Sequence, residues 1–410
     1  MVEGFVPAGD EQWDMAWDWL YQLAELCLLQ LWEDVKEYDA TDQIKFSKYC
    51  KIHDVLHDLA IHISRENKCA FSVEEASTCT IGASGWSRIL LAKKDINVDN
   101  IFDSQLAYIR TFSLSQNREI TSLPSNLFTH VRGLRILDLS YTSISTLPES
   151  AEKNTLLKVL DLRGTEIKQV PECVRHLKSL LFLAMPNRCK YLPPWIGELK
   201  CLQHLECEGV HRMPKTISKL ASLRKLQSGI LHLSIEEDEF IRLEDLANMT
   251  QLQELELTLN HEMQLKMVEE GILSQLLKMR QLFIRNCVDD EMGRTKLPRF
   301  SEKMRAMENL ESLRLIKFEV PRWICDLWNL RELELCNCDC SDCPELQTMP
   351  NLVRLKLSGN DRCIELPKAL GKSGEFPYLY SLSIQFFEEQ EEVRPRMKQS
   401  DANAGREDGA

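Results

Sequence analysis

The stretch LRILDLSYTSISTLPES, residues 134–150, decides how this chain is read, because it returns as LKVLDLRGTEIKQVPEC at residues 157–173. Leu134, Leu137, Leu139, Thr142, Ile144, Leu147 and Pro148 reappear as Leu157, Leu160, Leu162, Thr165, Ile167, Val170 and Pro171, each shifted by 23 positions. In an extended segment side chains alternate, so the second and third leucines of each triplet point to one side together. One such unit cannot bury that side alone, whereas stacked copies bury it against each other.

The pattern L-x-x-L-x-L-x-x-T-x-I-x-x-L-P is that of a leucine-rich repeat. It predicts an α/β solenoid, a horseshoe whose strands form a parallel sheet on the concave side. The series opens weakly with Trp86, Ile89 and Leu91, then Ile109, Phe112 and Leu114. It continues through Leu180-Leu183-Met185, Leu202-Leu205-Cys207, Leu252-Leu255-Leu257, Met279-Leu282-Ile284, Leu310-Leu313-Leu315, Leu330-Leu333-Leu335, Leu352-Leu355-Leu357 and Leu379-Leu382-Ile384. That amounts to about 12–13 units over residues 76–387. Spacing stretches between residues 223 and 310, where insertions should fall on the convex side or in loops. Three residues after the last strand leucine stand Asn117, Thr142, Thr165, Asn260, Cys287, Cys338 and Asn360, small polar groups able to bond the turning backbone. Leu-Pro pairs such as Leu123-Pro124, Leu147-Pro148, Leu192-Pro193 and Leu366-Pro367 start the return leg.

At 410 residues the chain exceeds one ordinary core, a ceiling that a repeat array does not have. Its formal charge of -13 argues against a general nucleic-acid binder, which must neutralise phosphates with Lys and Arg. The start, MVEGFVPAGDEQW, lacks the basic and apolar regions of a signal peptide, and no apolar run reaches the length of a membrane span. The fifteen cysteines lack the regular spacing of a secreted scaffold, so free thiols in a reducing, cytoplasmic setting are expected.

Ahead of the repeats, Trp13, Ala16, Trp17, Leu20, Leu23, Ala24, Cys27, Leu28 and Leu31 follow helical spacing over residues 11–31. The charges from Glu33 to Asp39 read as a solvated connection. A second helical pattern starts at Tyr49, with Ile52, Val55, Leu56, Leu59, Ala60 and Ile63 on one face. Residues 1–75 are therefore expected to form a small helical unit that docks on the array. The tail, residues 388–410, is polar, charged and poor in apolar residues, so it is expected to be disordered, with no polar capping unit before it.

Catalytic motifs are missing. There is no G-x-S-x-G elbow and no G-x-x-x-x-G-K-[ST] phosphate loop, so no enzyme chemistry is expected. Cys336, Cys338, Cys340 and Cys343 invite a zinc reading, but the repeat itself accounts for Cys338 and Cys340. Cys50, His53 and His57 are a second candidate set, yet Asp54 stands where H-E-x-x-H requires a glutamate. Neither set is read as a metal site.

What remains is the concave face, made of the residues between the inward leucines. It includes Phe182, Glu206, Glu208, Glu254, Glu256, Phe283, Arg285, Arg314, Glu332, Glu334, Arg354 and Lys356. Inner curves of solenoids are extended binding sites, and charge there steers a complementary partner. Reversing Glu254, Glu256, Glu332 and Glu334 to Lys is expected to leave folding intact and weaken partner capture.

The order of VEGFVP, LCLLQLW and CKIHDVLHDLAIHIS before the repeats resembles the end of the nucleotide-binding region in plant NB-ARC leucine-rich-repeat (NLR) disease-resistance proteins. In that family a Met-His-Asp motif closes the winged-helix subdomain, and Ile52, His53 and Asp54 match it with Ile replacing Met. The resemblance implies a winged-helix remnant over residues 1–75 and a nucleotide contact at His53. It further implies a truncated form lacking most of the nucleotide-binding domain, with no cofactor in this chain and ADP or ATP only in full-length relatives. Expected partners are proteins: a pathogen effector, a guarded host protein, or the nucleotide-binding domain of a related receptor, with no nucleic acid. The function implied is that of an innate-immune receptor fragment; the alternative is a substrate adaptor of a ubiquitin ligase, against which the sequence has no F-box-like Leu-Pro start.

Overall fold

A computed structural model describes residues 29–36, 45–52, 88–90, 109–228, 233–234, 239–288, 297–340, 349–359 and 378–385. Two sheets are present among them. The first is an antiparallel hairpin of β1 (Leu29–Lys36) and β2 (Lys45–Ile52), with Leu29 opposite Ile52 and Lys36 opposite Lys45. This corrects the helical reading there. LQLWEDVK and KFSKYCKI alternate with a period near two, and cross-strand pairing overrides a helical pattern carried into Leu31 and out of Tyr49. The remaining residues of the expected helical unit, His53 and Asp54 included, and the tail at 388–410 lie outside the described residues.

The second sheet has 13 strands, all parallel and in sequence order. They are β3 (Arg88–Leu90), β4 (Thr111–Ser113), β5 (Ile136–Asp138), β6 (Val159–Asp161), β7 (Phe182–Ala184), β8 (His204–Cys207) and β9 (Lys225–Ser228). Six longer ones follow: β10 (Glu254–Leu259), β11 (Gln281–Asn286), β12 (Ser312–Ile316), β13 (Glu332–Cys336), β14 (Arg354–Ser358) and β15 (Ser381–Gln385). The register stacks like on like. Leu137, Leu160, Leu183, Leu205, Leu226, Leu255, Leu282, Leu313, Leu333, Leu355 and Leu382 each pair with the next. All but Leu382 are buried, so the inward leucines merge into one apolar column running the length of the array.

Each strand must then turn out of the sheet, and the backbone does so the same way in six units. The second residue after the last strand leucine is left-handed: Gln116, Tyr141, Gly164, Lys317, Asn337 and Gly359 have φ between 51° and 66°. For a residue with a Cβ this conformation costs about 1–2 kcal/mol, and the sheet and core hold it in place. At Gly164 a side chain is excluded twice over, because a Cβ would also sit 2.5 Å from the Tyr141 ring.

The next residue closes the turn. Thr142 and Thr165 are buried, and each hydroxyl donates to the carbonyl three residues back, at 2.7 Å. Cys338 occupies the same place, its thiol 3.3 Å from the Leu315 carbonyl. Two other residues at the same offset, Asn260 and Cys287, are exposed instead of buried. Strands β10 and β11 run to six residues each, which moves the turn, and Asn286 is the buried amide instead, donating to the Lys317 carbonyl at 3.2 Å.

The return leg is a short 3-10 turn in most units, at Glu149–Lys153, Glu172–His176, Pro194–Glu198, Lys215–Lys219, Ile272–Gln275, Glu302–Ala306 and Arg322–Asp326. Pro148, Pro171, Pro193, Pro214 and Pro321 sit just before five of them, where a fixed φ is already suitable and no N–H is needed. The stretched region carries helices α1 (Leu243–Ala247) and α2 (Glu262–Glu269), which pack on the 3-10 turns away from the sheet. Gln264 in α2 is buried and satisfied: its amide donates to the Leu233 carbonyl and accepts from the Asn260 N–H.

Candidate functional site

With leucines turned inward, the alternate residues of every strand line the opposite, concave face. The described strands put the predicted residues there. Phe182 lies on β7, Glu206 on β8 with Glu208 just beyond it, Glu254 and Glu256 on β10, and Phe283 and Arg285 on β11. Arg314 follows on β12, Glu332 and Glu334 on β13, and Arg354 and Lys356 on β14. Of the motif residues, Ile52 ends β2, while His53 and Asp54 lie outside the described residues.

Strand pairing converts sequence distance into lateral contact, and the C-terminal half of the face is knitted by opposite charges. Glu334 lies between Arg314 at 3.1 Å and Lys356 at 2.9 Å, the three side chains being only 14%, 16% and 21% exposed. Glu332 meets Arg354 at 2.5 Å, and Glu254 meets Lys225 at 2.7 Å. Phe283 carries the Arg314 guanidinium 4.4 Å from its ring centre, with Arg285 at 5.8 Å. Cation–π stacking and ion pairing thus hold the same arginine from two sides.

The N-terminal half is built differently. Ile136, Val159 and Phe182 stand side by side in register, each half-buried, and His204 follows with its ring edge-on to Phe182 at 6.4 Å. Beside them Asp138 accepts from Ser113 Oγ at 2.8 Å and from Ser140 Oγ at 2.7 Å. Asp161 takes Arg163 at 2.5 Å, and the same guanidinium reaches Glu206 at 3.1 Å. Burial raises the Glu206 carboxyl above its ordinary range, with Arg163 opposing the rise. The face list read from sequence omitted Asp138, Asp161, Arg163, His204 and Lys225. The signal was present, since the same Leu-Asp-Leu occurs in both quoted units.

His204 supplies a test of this packing. Burial pushes its imidazole down to about 4, Lys225 and Arg224 adding to the effect and Glu254 opposing it. Between pH 6.5 and about 4 the unfolded chain gains a proton on this ring that the native chain refuses, so stability is lost as the pH is lowered through that window and regained as it rises. His204→Gln is expected to flatten that part of a pH series of urea midpoints. An unchanged slope would show that the ring is solvated.

The thiols depart from expectation at one place. Eight described cysteines are thiols outside any disulfide, among them Cys336 and Cys338, but Cys340 is disulfide-bonded. Burial raises Cys338 to about 12, which suits a packing role. Among the described residues no group of three or more His, Cys, Asp or Glu is placed to hold a metal ion; Cys343, His53 and His57 are not among them. Likewise, no described helix is long and apolar enough to cross a membrane.

Comparison with known proteins agrees with the geometry. A family model described as leucine-rich repeat region matches residues 91–236 and 186–399. Disease resistance protein UNI of Arabidopsis thaliana is 25% identical over 279 residues, covering 65% of this chain and 27% of that protein. Disease resistance RPP13-like protein 4 of the same plant is 27% identical over 310 residues, covering 70% and 34%. The chain spans between 21% and 43% of the length of the first curated relatives it matches. Among solved structures, a Leptospira interrogans leucine-rich-repeat protein aligns with a TM-score of 0.49 at 23% identity, over 67% of this chain and 70% of that one. With its stacked parallel strands and the family-model match, the chain belongs to the leucine-rich repeat region family, and it is similar to plant disease-resistance proteins.

Proposed function

We propose that this chain is a recognition module of plant defence that captures another protein on its concave face and catalyses nothing itself. The observation that supports this most is the unbroken face itself, which carries charged or aromatic side chains on successive strands from β5 to β14. Such a face is long enough to read an extended partner surface. The partner is a pathogen protein, a host protein under guard, or the nucleotide-binding domain of a related receptor, met in the cytoplasm. The hairpin β1–β2 ends at Ile52, directly before His53 and Asp54, and supports reading this segment as the wing of a winged-helix unit. In that reading His53 donates to a nucleotide phosphate held by a domain of the NB-ARC type.

The test is capture of tagged full chain from its own tissue, read by mass spectrometry, beside a Phe182→Ala/Phe283→Ala variant that replaces no charged residue. Recovery of a receptor nucleotide-binding domain or a secreted pathogen protein, lost with the variant while its circular dichroism is retained, is the expected result. Recovery of a ubiquitin-ligase scaffold instead would replace this reading with that of a substrate adaptor.

A further inference from the structure

On the side away from the sheet, two pairs of neighbouring 3-10 turns carry the same set of side chains, and only one pair closes them together. The turns Glu172–His176 and Pro194–Glu198 contribute Glu172 and Arg175, then Trp195 and Glu198. Trp195 Nε1 donates to Glu172 at 2.8 Å, and Arg175 meets Glu198 at 2.6 Å. The turns Glu302–Ala306 and Arg322–Asp326 repeat this position for position with Glu302, Arg305, Trp323 and Asp326. Arg305 again meets Asp326, at 3.1 Å. The indole bond is missing. Trp323 is 7% exposed and stacks on Phe300 at 5.6 Å, and its buried Nε1 has no hydrogen-bond partner.

Where that bond is missing there is a cavity of about 480 Å³, lined by Trp323 together with Glu302, Arg305 and Asp326. Two further guanidiniums line it, those of Arg299 and Arg322, at the positions that Gln169 and Pro194 hold in the closed pair. Arg299 also meets Glu319 at 3.5 Å. Trp328, 68% exposed, supplies an aromatic wall. With Asp326 held by Arg305, the lining sets an indole N–H and the forked N–H groups of Arg299 and Arg322 against the one carboxylate of Glu302. Guanidinium forks match the geometry of phosphate oxygens, and an exposed indole gives a planar group a surface to stack on. The volume suits a small molecule.

We infer that this cavity binds a small molecule carrying a phosphate on a planar ring. One phosphate oxygen accepts from Trp323 Nε1, as the Glu172 carboxylate does from Trp195 in the closed pair. Arg299 and Arg322 hold the remaining oxygens, and the ring lies on Trp328. The cavity is built by the 3-10 turns and not by the concave strands, so it stands whether or not the concave face captures a protein.

Purified full chain is titrated calorimetrically with AMP, phenyl phosphate, adenosine and inorganic phosphate. At least one of the two ring phosphates is expected to bind about tenfold or more tightly than adenosine and inorganic phosphate, a difference of about 1.4 kcal/mol. Trp323→Phe removes the N–H and keeps an aromatic ring beside Phe300, and should weaken that binding by about tenfold or more. Trp195→Phe, the same change in the closed pair, should leave it unaltered. Arg299→Gln/Arg322→Pro installs the residues of the closed pair and should abolish it. If that variant lowers the thermal midpoint, Arg322→Gln takes its place. No binding of either ring phosphate, unchanged affinity in Trp323→Phe, or equal loss in Trp195→Phe overturns the inference. Binding that appears only in Glu302→Gln also overturns it, by showing that Glu302 closes the cavity itself.

Discussion

Leu160→Ala should reduce unfolding stability by about 2–5 kcal/mol, the range for truncating a fully buried leucine where surroundings relax little. Leu160 is 0% exposed and pairs in register with Leu137 on one side and Leu183 on the other, themselves 1% and 0% exposed. The space left would be walled by backbone held in the sheet, so collapse around it is restricted. Leu382 provides the internal comparison, because it occupies the same repeat position in β15 but is 39% exposed. Its truncation should cost well under half as much. Urea unfolding followed by circular dichroism for both variants decides the point, and equal losses would mean that the inward column does not carry the array.

Glu334→Lys is the second large effect, expected to cost about 2–4 kcal/mol, somewhat below the loss on breaking a fully buried pair. The new ammonium would replace the carboxylate that Arg314 and Lys356 share, setting three cations together where each native side chain is less than a quarter exposed. Glu334→Gln should cost less, since it removes attraction without adding repulsion. This overturns the expectation that reversing Glu254, Glu256, Glu332 and Glu334 leaves folding intact. At least Glu254, Glu332 and Glu334 belong to lateral ion pairs, so the fourfold reversal would test folding as well as binding. Thermal unfolding of Glu334→Lys against Glu334→Gln separates the two cases; no difference between them would place Glu334 in solvent.

The solenoid was legible because its determinant is local: three leucines at fixed offsets set strand, face and register within one unit. The concave positions followed from the same alternation. Their pairing did not, because Glu334 meets Arg314 and Lys356 only after two neighbouring units stack, and the unit length varies. Paired positions are 20 residues apart between β12 and β13 and 31 between β11 and β12. The left-handed turn position was hidden for another reason: Gln116, Tyr141, Lys317 and Asn337 occupy it beside only two glycines, so no residue type marks it. The hairpin was missed because Leu29 and Leu31 extend the helical spacing of the preceding residues, while Glu33 and Asp34 look like a linker until their partners Lys48 and Ser47 are known.

Like-on-like stacking of Leu137 through Leu355 also fixes how the molecule comes together in time. Between β3 and β15 each strand finds its partner one unit away, so the loop to be closed stays short however many units the chain contains. Folding can begin at any well-formed pair of units and spread in both directions, and its search does not lengthen with the array. Under tension the same arrangement yields serially: a unit peeled from the end breaks one strand pairing and leaves its neighbour whole. Each such release frees on the order of 80 Å of chain, for a unit of about 23 residues at roughly 3.5 Å each.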